Sequence, residues 1–256
     1  MENTEITSVN NELVKDTVKL QIKKYRDEEK KFLLEGFKPI EEAFNSGLEI
    51  EQIFVLKEKE DKYNFLNSPL ILTTEAVLKK ISTTDSAPDA VAVAKQKIFT
   101  LDDIKSAKKV VLLENIKDSG NLGTILRTAK AFSQDAVVLF GDTVDLYNPK
   151  CVRSAVGNLW KIPVVQIKDF SILESNFDAF DRVATLPKSE GTIDLKNFEA
   201  KLNSLIMFGS EADGLSQDLI DFSTQKVTIE MNEDVESLNL SISVGILLYK
   251  SQTPTP

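Results

Sequence analysis

Val110-Val111-Leu112-Leu113-Glu114-Asn115-Ile116-Lys117-Asp118-Ser119-Gly120-Asn121-Leu122-Gly123-Thr124-Ile125-Leu126-Arg127-Thr128-Ala129 is the stretch on which the fold turns. Its first four residues form a continuous apolar run, the mark of a parallel strand buried on both faces. A polar turn follows. Leu122, Ile125, Leu126, Ala129 and Phe132 then recur at helical spacing and share one stripe. Asn121 reads as the N-cap of that helix. A helix start preceded by Ser119-Gly120 offers free backbone N–H groups, which suit a phosphate. Arg127 sits one turn in, at the edge of the stripe, where it can add a charged fork. Taken alone, an ordinary capped helix with a surface arginine is the plainer reading.

Working outward, further apolar runs lie at Ala136 to Phe140, Ile162 to Ile167, Arg182 to Leu186, Ser204 to Phe208 and Lys226 to Ile229, with helical patterns between most of them. Strands alternating with helices predict an α/β domain over residues 109–251, a parallel sheet with helices on both faces. Residues 15–97 read as a second, small α/β domain. A charged helix is expected over Val18 to Lys31, then the apolar run Phe32 to Glu35 ending at Gly36. A helix from Pro39 to Ser46 stops before Gly47. Strands are expected at Ile53 to Leu56, Leu70 to Leu72 and Ala90 to Ala94, with a helix opening at Thr73 or Thr74 and Glu75 in its first turn. The polar residues 98–108 read as a linker and residues 1–14 as a flexible tail.

The 256 residues are 42% hydrophobic and 28% charged, ordinary for a globular protein. No apolar run approaches the ~20 residues that span a bilayer, and the polar N-terminus is not a secretory signal. A single cysteine, Cys151, allows no intrachain disulfide, so the chain reads as cytoplasmic. With no histidine, an imidazole base and most zinc sites are excluded, and no metal is expected. The net charge of −9 argues against bulk electrostatic coating of nucleic acid. Lys15 to Lys31 nevertheless holds seven basic against four acidic residues, and Lys108 to Lys161 eight against five.

Two more segments follow strands, where open α/β sheets bind ligands. In Met207-Phe208-Gly209-Ser210-Glu211-Ala212-Asp213-Gly214-Leu215 a strand ends in a glycine that permits close backbone approach. In Ile229-Glu230-Met231-Asn232-Glu233-Asp234-Val235-Glu236-Ser237-Leu238-Asn239-Leu240-Ser241 a strand runs into an acidic loop. Ser237 reads as the cap of a helix, apolar on most sides, that continues to Tyr249. Ser241, Ser243 and Gly245 would let another helix approach closely.

Together and in this order the three segments resemble the motifs of the SpoU/TrmH family of RNA 2′-O-ribose methyltransferases. The first carries Asn121, Gly123, Arg127, Thr128 and Ala129; the second Gly209, Glu211, Gly214 and Leu215; the third Ile229, Met231, Ser237, Leu238, Asn239 and Ser241. Asn148-Pro149-Lys150 with Arg153, Ser154 and Gly157 is similar to the family's intervening segment. Residues 15–97 resemble its L30e-like RNA-binding domain, through Phe32 to Gly36 and Ser82 to Val93. Ser119, Glu230 and Glu233 depart from a usual proline, proline and glycine.

The resemblance implies methylation of a ribose 2′-hydroxyl in structured RNA, with 23S ribosomal RNA the expected target, S-adenosylmethionine as cofactor, a homodimer, and a C-terminal trefoil knot. It implies cofactor binding by Gly209, Ile229, Met231, Leu238, Thr185 and Leu186. It implies catalytic roles for Arg127, Asn121, Glu211, Ser237 and Asn239. Arginine stays protonated and is a poor base. Arg127 is therefore expected to clamp phosphate and stabilise developing charge, with Glu211 pairing with it or taking the proton. The alternatives are a transfer-RNA 2′-O-methyltransferase, base methylation through Cys151, and a non-catalytic RNA-binding or ribosome-assembly factor on the same fold.

Overall fold

The computed structural model describes residues 3–66, 68–232 and 234–252. In chain order the elements are β1 (Thr4–Ile6), α1 (Glu12–Lys19), α2 (Lys23–Glu29), β2 (Lys31–Glu35), α3 (Phe37–Asn45), β3 (Ile50–Leu56), β4 (Ile71–Thr73), α4 (Glu75–Ile81), β5 (Ala90–Lys95) and β6 (Lys109–Glu114). They continue with α5 (Ser119–Ala131), β7 (Ala136–Phe140), α6 (Pro149–Ala155), β8 (Val164–Ile167), α7 (Phe170–Phe177), β9 (Asp181–Thr185), β10 (Ile193–Asp194), β11 (Ser204–Phe208), α8 (Gln217–Phe222), β12 (Gln225–Thr228) and α9 (Leu240–Lys250). Two units emerge: one runs to Lys97 and includes Asp145–Trp160, the other holds Ile98–Val144 and the chain from Lys161 onward.

The first unit is a five-stranded sheet in the order β1-β4-β3-β5-β2, mixed because β5 runs antiparallel to both β2 and β3. One core gathers Val14 and Leu20 with Leu33, Phe54, Val77, Leu78 and Val91. The expected helix Val18 to Lys31 is instead two short helices and the start of a strand. Leu20 turns inward to the core, Arg26 is buried, and Lys30 adopts a left-handed conformation that ends α2. Residues 4–6, expected in a tail, pair with β4 through Thr4, Glu5 and Ile6, and Ile6 is buried. A three-residue edge strand carries too little periodicity to be read from sequence.

Residues 145–160 fall inside the stretch expected as the larger domain, yet pack in the first unit. α6 lies on β2. The Phe32 ring packs at a tilt against Tyr147, with centroids 4.7 Å apart, and against Trp160 at 6.2 Å. Arg26, almost wholly buried, pairs with Asp145 at 2.6 Å and donates to the Leu20 carbonyl at 2.8 Å. A buried guanidinium needs such partners, because removing one leaves a charge without water or counter-ion. Arg153 meets Glu35 at 3.3 Å and Thr83 at 2.6 Å. α6 ends on Val156 at φ 46° and ψ 52°. A β-branched residue there is strained, while its side chain, 46% exposed, gives little back in burial. Val156→Asn is expected to raise stability by about 1 kcal/mol, seen as a melting temperature about 2–4 °C higher. An unchanged or lower midpoint would show the strain to be absent.

The second unit is a seven-stranded, all-parallel sheet ordered β10-β12-β9-β11-β6-β7-β8. Because side chains alternate across a strand, Val110, Leu112, Val138, Leu205 and Met207 face one core with Leu173 and Phe177 of α7 and Leu219 of α8. Val111, Leu113, Val137 and Leu139 are buried on the opposite face, where α5 lies against β7 and α9 against α5. This is the α/β architecture expected from the sequence. Gly245 faces Thr128 across the α5–α9 contact, where a Cβ would sit at an ordinary 3.8 Å, so the approach does not depend on glycine there. The expected linker is in part ordered: residues 101–104 form a single 3₁₀ turn with a capping box on Thr100 and Asp103, and Ile104 is buried.

Candidate active site

In the second sheet the chain leaves β6 through α5 to β7 on one side, while β11 lies on the other, so the strand order reverses at β6. Such a switch point opens a crevice at the carboxyl ends of the strands. A cavity of about 660 Å³ lies at the ends of β9, β11 and β12. Thr185 and Leu186 line it after β9, Gly209 and Glu211 after β11, and Ile229, Met231, Ser237, Leu238 and Asn239 after β12. All six residues expected to bind a cofactor therefore share one cavity. Its apolar wall includes Phe208, Ile220, Val227 and Leu240, and Glu211, Asp213 and Glu236 add carboxylates. This size and mixture suit a small molecule of nucleoside size with a positive charge.

Local chemistry shapes the cavity. A Cβ on Gly209 would lie 1.9 Å from the Gly214 carbonyl carbon and 2.2 Å from the Leu215 nitrogen, so only glycine allows the loop to close on itself. Ser210 and Gly214 bridge across the loop, and Gly214 takes φ +69°. The far end of the loop is tied by a residue that sequence reading passed over. Glu114, the last residue of β6 and 3% exposed, accepts the Ser216 N–H at 2.7 Å. A carboxylate closing an apolar strand is a signal that could have singled it out. Thr185 donates its hydroxyl to the Met207 carbonyl at 2.8 Å, fastening β9 to β11 beside the cavity.

The three motif segments meet at the rim. Asn121 Nδ2 donates to Glu211 Oε1 at 2.6 Å, and Asn239 Nδ2 donates to Asn121 Oδ1 at 3.1 Å. Two expected caps are corrected. Asp118 caps α5 by accepting the Asn121 N–H at 2.7 Å, because the helix begins at Ser119, two residues before Asn121. Asn121 thereby falls in the first turn with its amide free to reach Glu211. Asn239, not Ser237, caps α9 by accepting the Ser241 N–H at 2.9 Å. Ser237 stays in the loop and lines the cavity.

Arg127 is not gathered into this cluster. It is exposed on α5, does not line the cavity, and makes no ion pair among the described residues. The expected pairing of Arg127 with Glu211 is absent: six residues along a helix turn the side chain about 120° away from Asn121. The guanidinium is thus left open to a ligand. The basic stretch Lys15 to Lys31, by contrast, is largely self-compensated, with Lys15 on Glu12, Lys19 on Asp16 and Lys23 on Asp27.

Glu230, which departs from the family's proline, does not line the cavity. It meets Lys196 at 3.3 Å. Its carboxyl lies below the ordinary range: desolvation, the largest single effect, would raise it, but hydrogen bonds from its backbone and Lys196 together with the Lys196 charge outweigh it. Glu233 lies outside the described residues. Cys151 is fully buried on α6 in the first unit, away from solvent, which removes it as a nucleophile toward a base.

Residues 108–249 match the SpoU rRNA Methylase family model, and residues 11–92 match the MRM3-like substrate binding domain. The chain is 32% identical to a tRNA/rRNA methyltransferase of Synechocystis over 96% of this chain and 93% of that one. It is 30% identical to the 23S rRNA (guanosine(2553)-2′-O)-methyltransferase RlmP of Bacillus subtilis, over 96% and 98% of the two chains. The structure superposes on an AdoMet-bound rRNA methyltransferase from Sinorhizobium meliloti with a TM-score of 0.86, 28% identity and 96% coverage of both chains. With its three motifs assembled at one cavity and this likeness running almost end to end, the chain belongs to the SpoU rRNA methylase family.

Proposed function

We propose that the protein transfers a methyl group from S-adenosylmethionine to a ribose 2′-hydroxyl of 23S ribosomal RNA. The observation that carries this reading is the meeting of a cavity fit for a cationic nucleoside with a carboxylate and two amides on its rim. S-adenosylmethionine, when bound, supplies a methyl already activated on a sulfonium centre. Gly209, Ile229, Met231, Leu238, Thr185 and Leu186 would hold it, largely through backbone groups that the absence of a Gly209 side chain leaves accessible. Glu211, Asp213 and Glu236 favour its positive charge.

The protein's task is then to position the ribose and receive its proton. Arg127, which makes no ion pair among the described residues and stays permanently charged, clamps a phosphate of the bound RNA and so helps to position the ribose. Glu211 takes the proton: with no histidine in the chain, it is the carboxylate at the rim best placed to act as base. Asn121, itself held by Asn239, holds Glu211, and Ser237 faces the ribose from the cavity lip. The names of the relatives support ribosomal over transfer RNA. The first unit, with residues 145–160, serves as the substrate-binding domain, and the protein works in the cytoplasm. Among the described residues no helix is long and apolar enough to cross a membrane.

A homodimer and a C-terminal knot belong to the same proposal. The dimer is supported by α9, which leaves Ile242 53%, Ile246 37% and Tyr249 70% exposed along one face. An apolar stripe of this kind is a liability unless covered. Ile246→Asp with Tyr249→Asp is expected to convert a dimer to a monomer in sedimentation velocity; a monomeric parent would remove the idea. The knot is supported by β12, which enters the sheet between β10 and β9 before the chain returns to α5. Titration calorimetry tests the function as a whole. One S-adenosylmethionine per chain is expected, and no binding would leave the non-catalytic reading standing.

A further inference from the structure

We propose that the N-cap of α9 fixes the direction of a side-chain relay, Ser241 to Asn239 to Asn121 to Glu211, that holds Glu211 Oε1 as an acceptor and leaves Oε2 for the substrate proton. Ser241, which has no role in the site described so far, is then a positioning residue acting through the two asparagines. The inference rests on the proposed methyl transfer and deepens it.

An isolated asparagine amide can point either way, since its oxygen and nitrogen occupy equivalent positions. Here the choice is forced at one end. Asn239 Oδ1 faces the backbone N–H of Ser241 at 2.9 Å and the Ser241 hydroxyl at 2.6 Å. A backbone N–H only donates, so the atom facing it must be the oxygen. Asn239 Nδ2 is thereby directed at Asn121, which must present its own oxygen, at 3.1 Å. Asn121 is left with Nδ2 toward Glu211 Oε1, at 2.6 Å. An NH₂ group cannot accept a proton, so Oε1 must accept. Oε1 stays a proton-free acceptor while the relay holds, and Oε2 is the oxygen left for the 2′-hydroxyl proton. The backbone geometry of a helix cap thus specifies which oxygen of a carboxylate three side chains away is engaged and which is free.

Asn239→Asp separates this from a structural role. Aspartate caps α9 as well as asparagine does and keeps both bonds from Ser241. It cannot donate to Asn121. The Asn121 amide must turn over, placing its oxygen against Glu211, which then has to be protonated or displaced. The expected result is a variant that melts within about 2 °C of the parent and still binds S-adenosylmethionine. Its kcat falls at least 30-fold at neutral pH, and the acid limb of its pH–rate profile moves to higher pH. Ser241→Ala keeps the backbone cap bond and should lose about 3-fold to 10-fold in kcat with KM for RNA unchanged. The side-chain NH₂ resonances of Asn121 report the flip without any turnover and should shift in Asn239→Asp. Parental kcat and pH profile in Asn239→Asp, with those resonances unmoved, would overturn the relay. A parent that fails to methylate RNA while the resonances still shift would count against the function and leave the relay standing.

Discussion

Gly209→Ala is expected to abolish methyl transfer by removing cofactor binding. The methyl group it adds would lie 1.9 Å from one backbone carbon and 2.0 Å from one backbone oxygen of Gly214. Neither atom belongs to a flexible side chain, so the loop of residues 209–215 has to open by more than an ångström. The displaced backbone is the same one that lines the cavity and carries Glu211. Misplacement on this scale costs on the order of 100-fold where geometry governs the reaction. The kcat should therefore fall at least about 100-fold, and the S-adenosylmethionine dissociation constant should rise in calorimetry. Stability should fall by about 2–4 kcal/mol, as for other overpacked cores. Gly214→Ala is the matched control. Its added carbon meets nothing within 4 Å, and only the positive φ of 69° opposes it. That variant should lose about 1–2 kcal/mol of stability and bind cofactor far better than Gly209→Ala. Equal behaviour of the two would show that closure of this loop does not shape the cavity.

Arg127→Ala should leave cofactor binding intact and lower kcat by about 100-fold, the loss expected when a clamp that positions a reacting group is removed. The side chain is exposed and unpaired among the described residues, so its removal breaks nothing in the folded protein. Its melting temperature should not move. If it clamps a phosphate, the salt dependence of RNA binding should also flatten by about one counter-ion. Arg127→Lys keeps the charge but loses the planar fork and should fall between the two. Near-parental turnover in Arg127→Ala with RNA still bound would remove the clamp.

Much of this was legible in the sequence because the second unit obeys simple periodicities. Its buried strands read as unbroken apolar runs, and α5 carries its core residues at helical spacing. The residues expected from the family resemblance to bind a cofactor do line one cavity. What was not legible falls into two kinds. Helix starts were misplaced by three residues at Asn121 and by two at Ser237, since Asp118 and Asn239 are equally good caps and only the backbone decides between them. That small shift matters, because it frees Asn121 to meet Glu211 and makes Asn239 the anchor of the relay. Long-range pairings were the other kind. Nothing local in Arg26, Asp145, Phe32 or Trp160 announces that residues 145–160 pack in the first unit, nor that Glu114 holds Ser216 across 102 positions. Such contacts depend on which strands become neighbours, which no short window of sequence records.

The most direct test of the account is the chemical position of the transferred methyl. The protein is incubated with methyl-labelled S-adenosylmethionine and unmodified 23S ribosomal RNA, and the product is hydrolysed in alkali. A methylated 2′-oxygen cannot attack its neighbouring phosphodiester, so the account predicts label in an alkali-resistant dinucleotide. Label released as a mononucleotide would place the methyl on a base and contradict it, as would cofactor bound without any transfer to RNA.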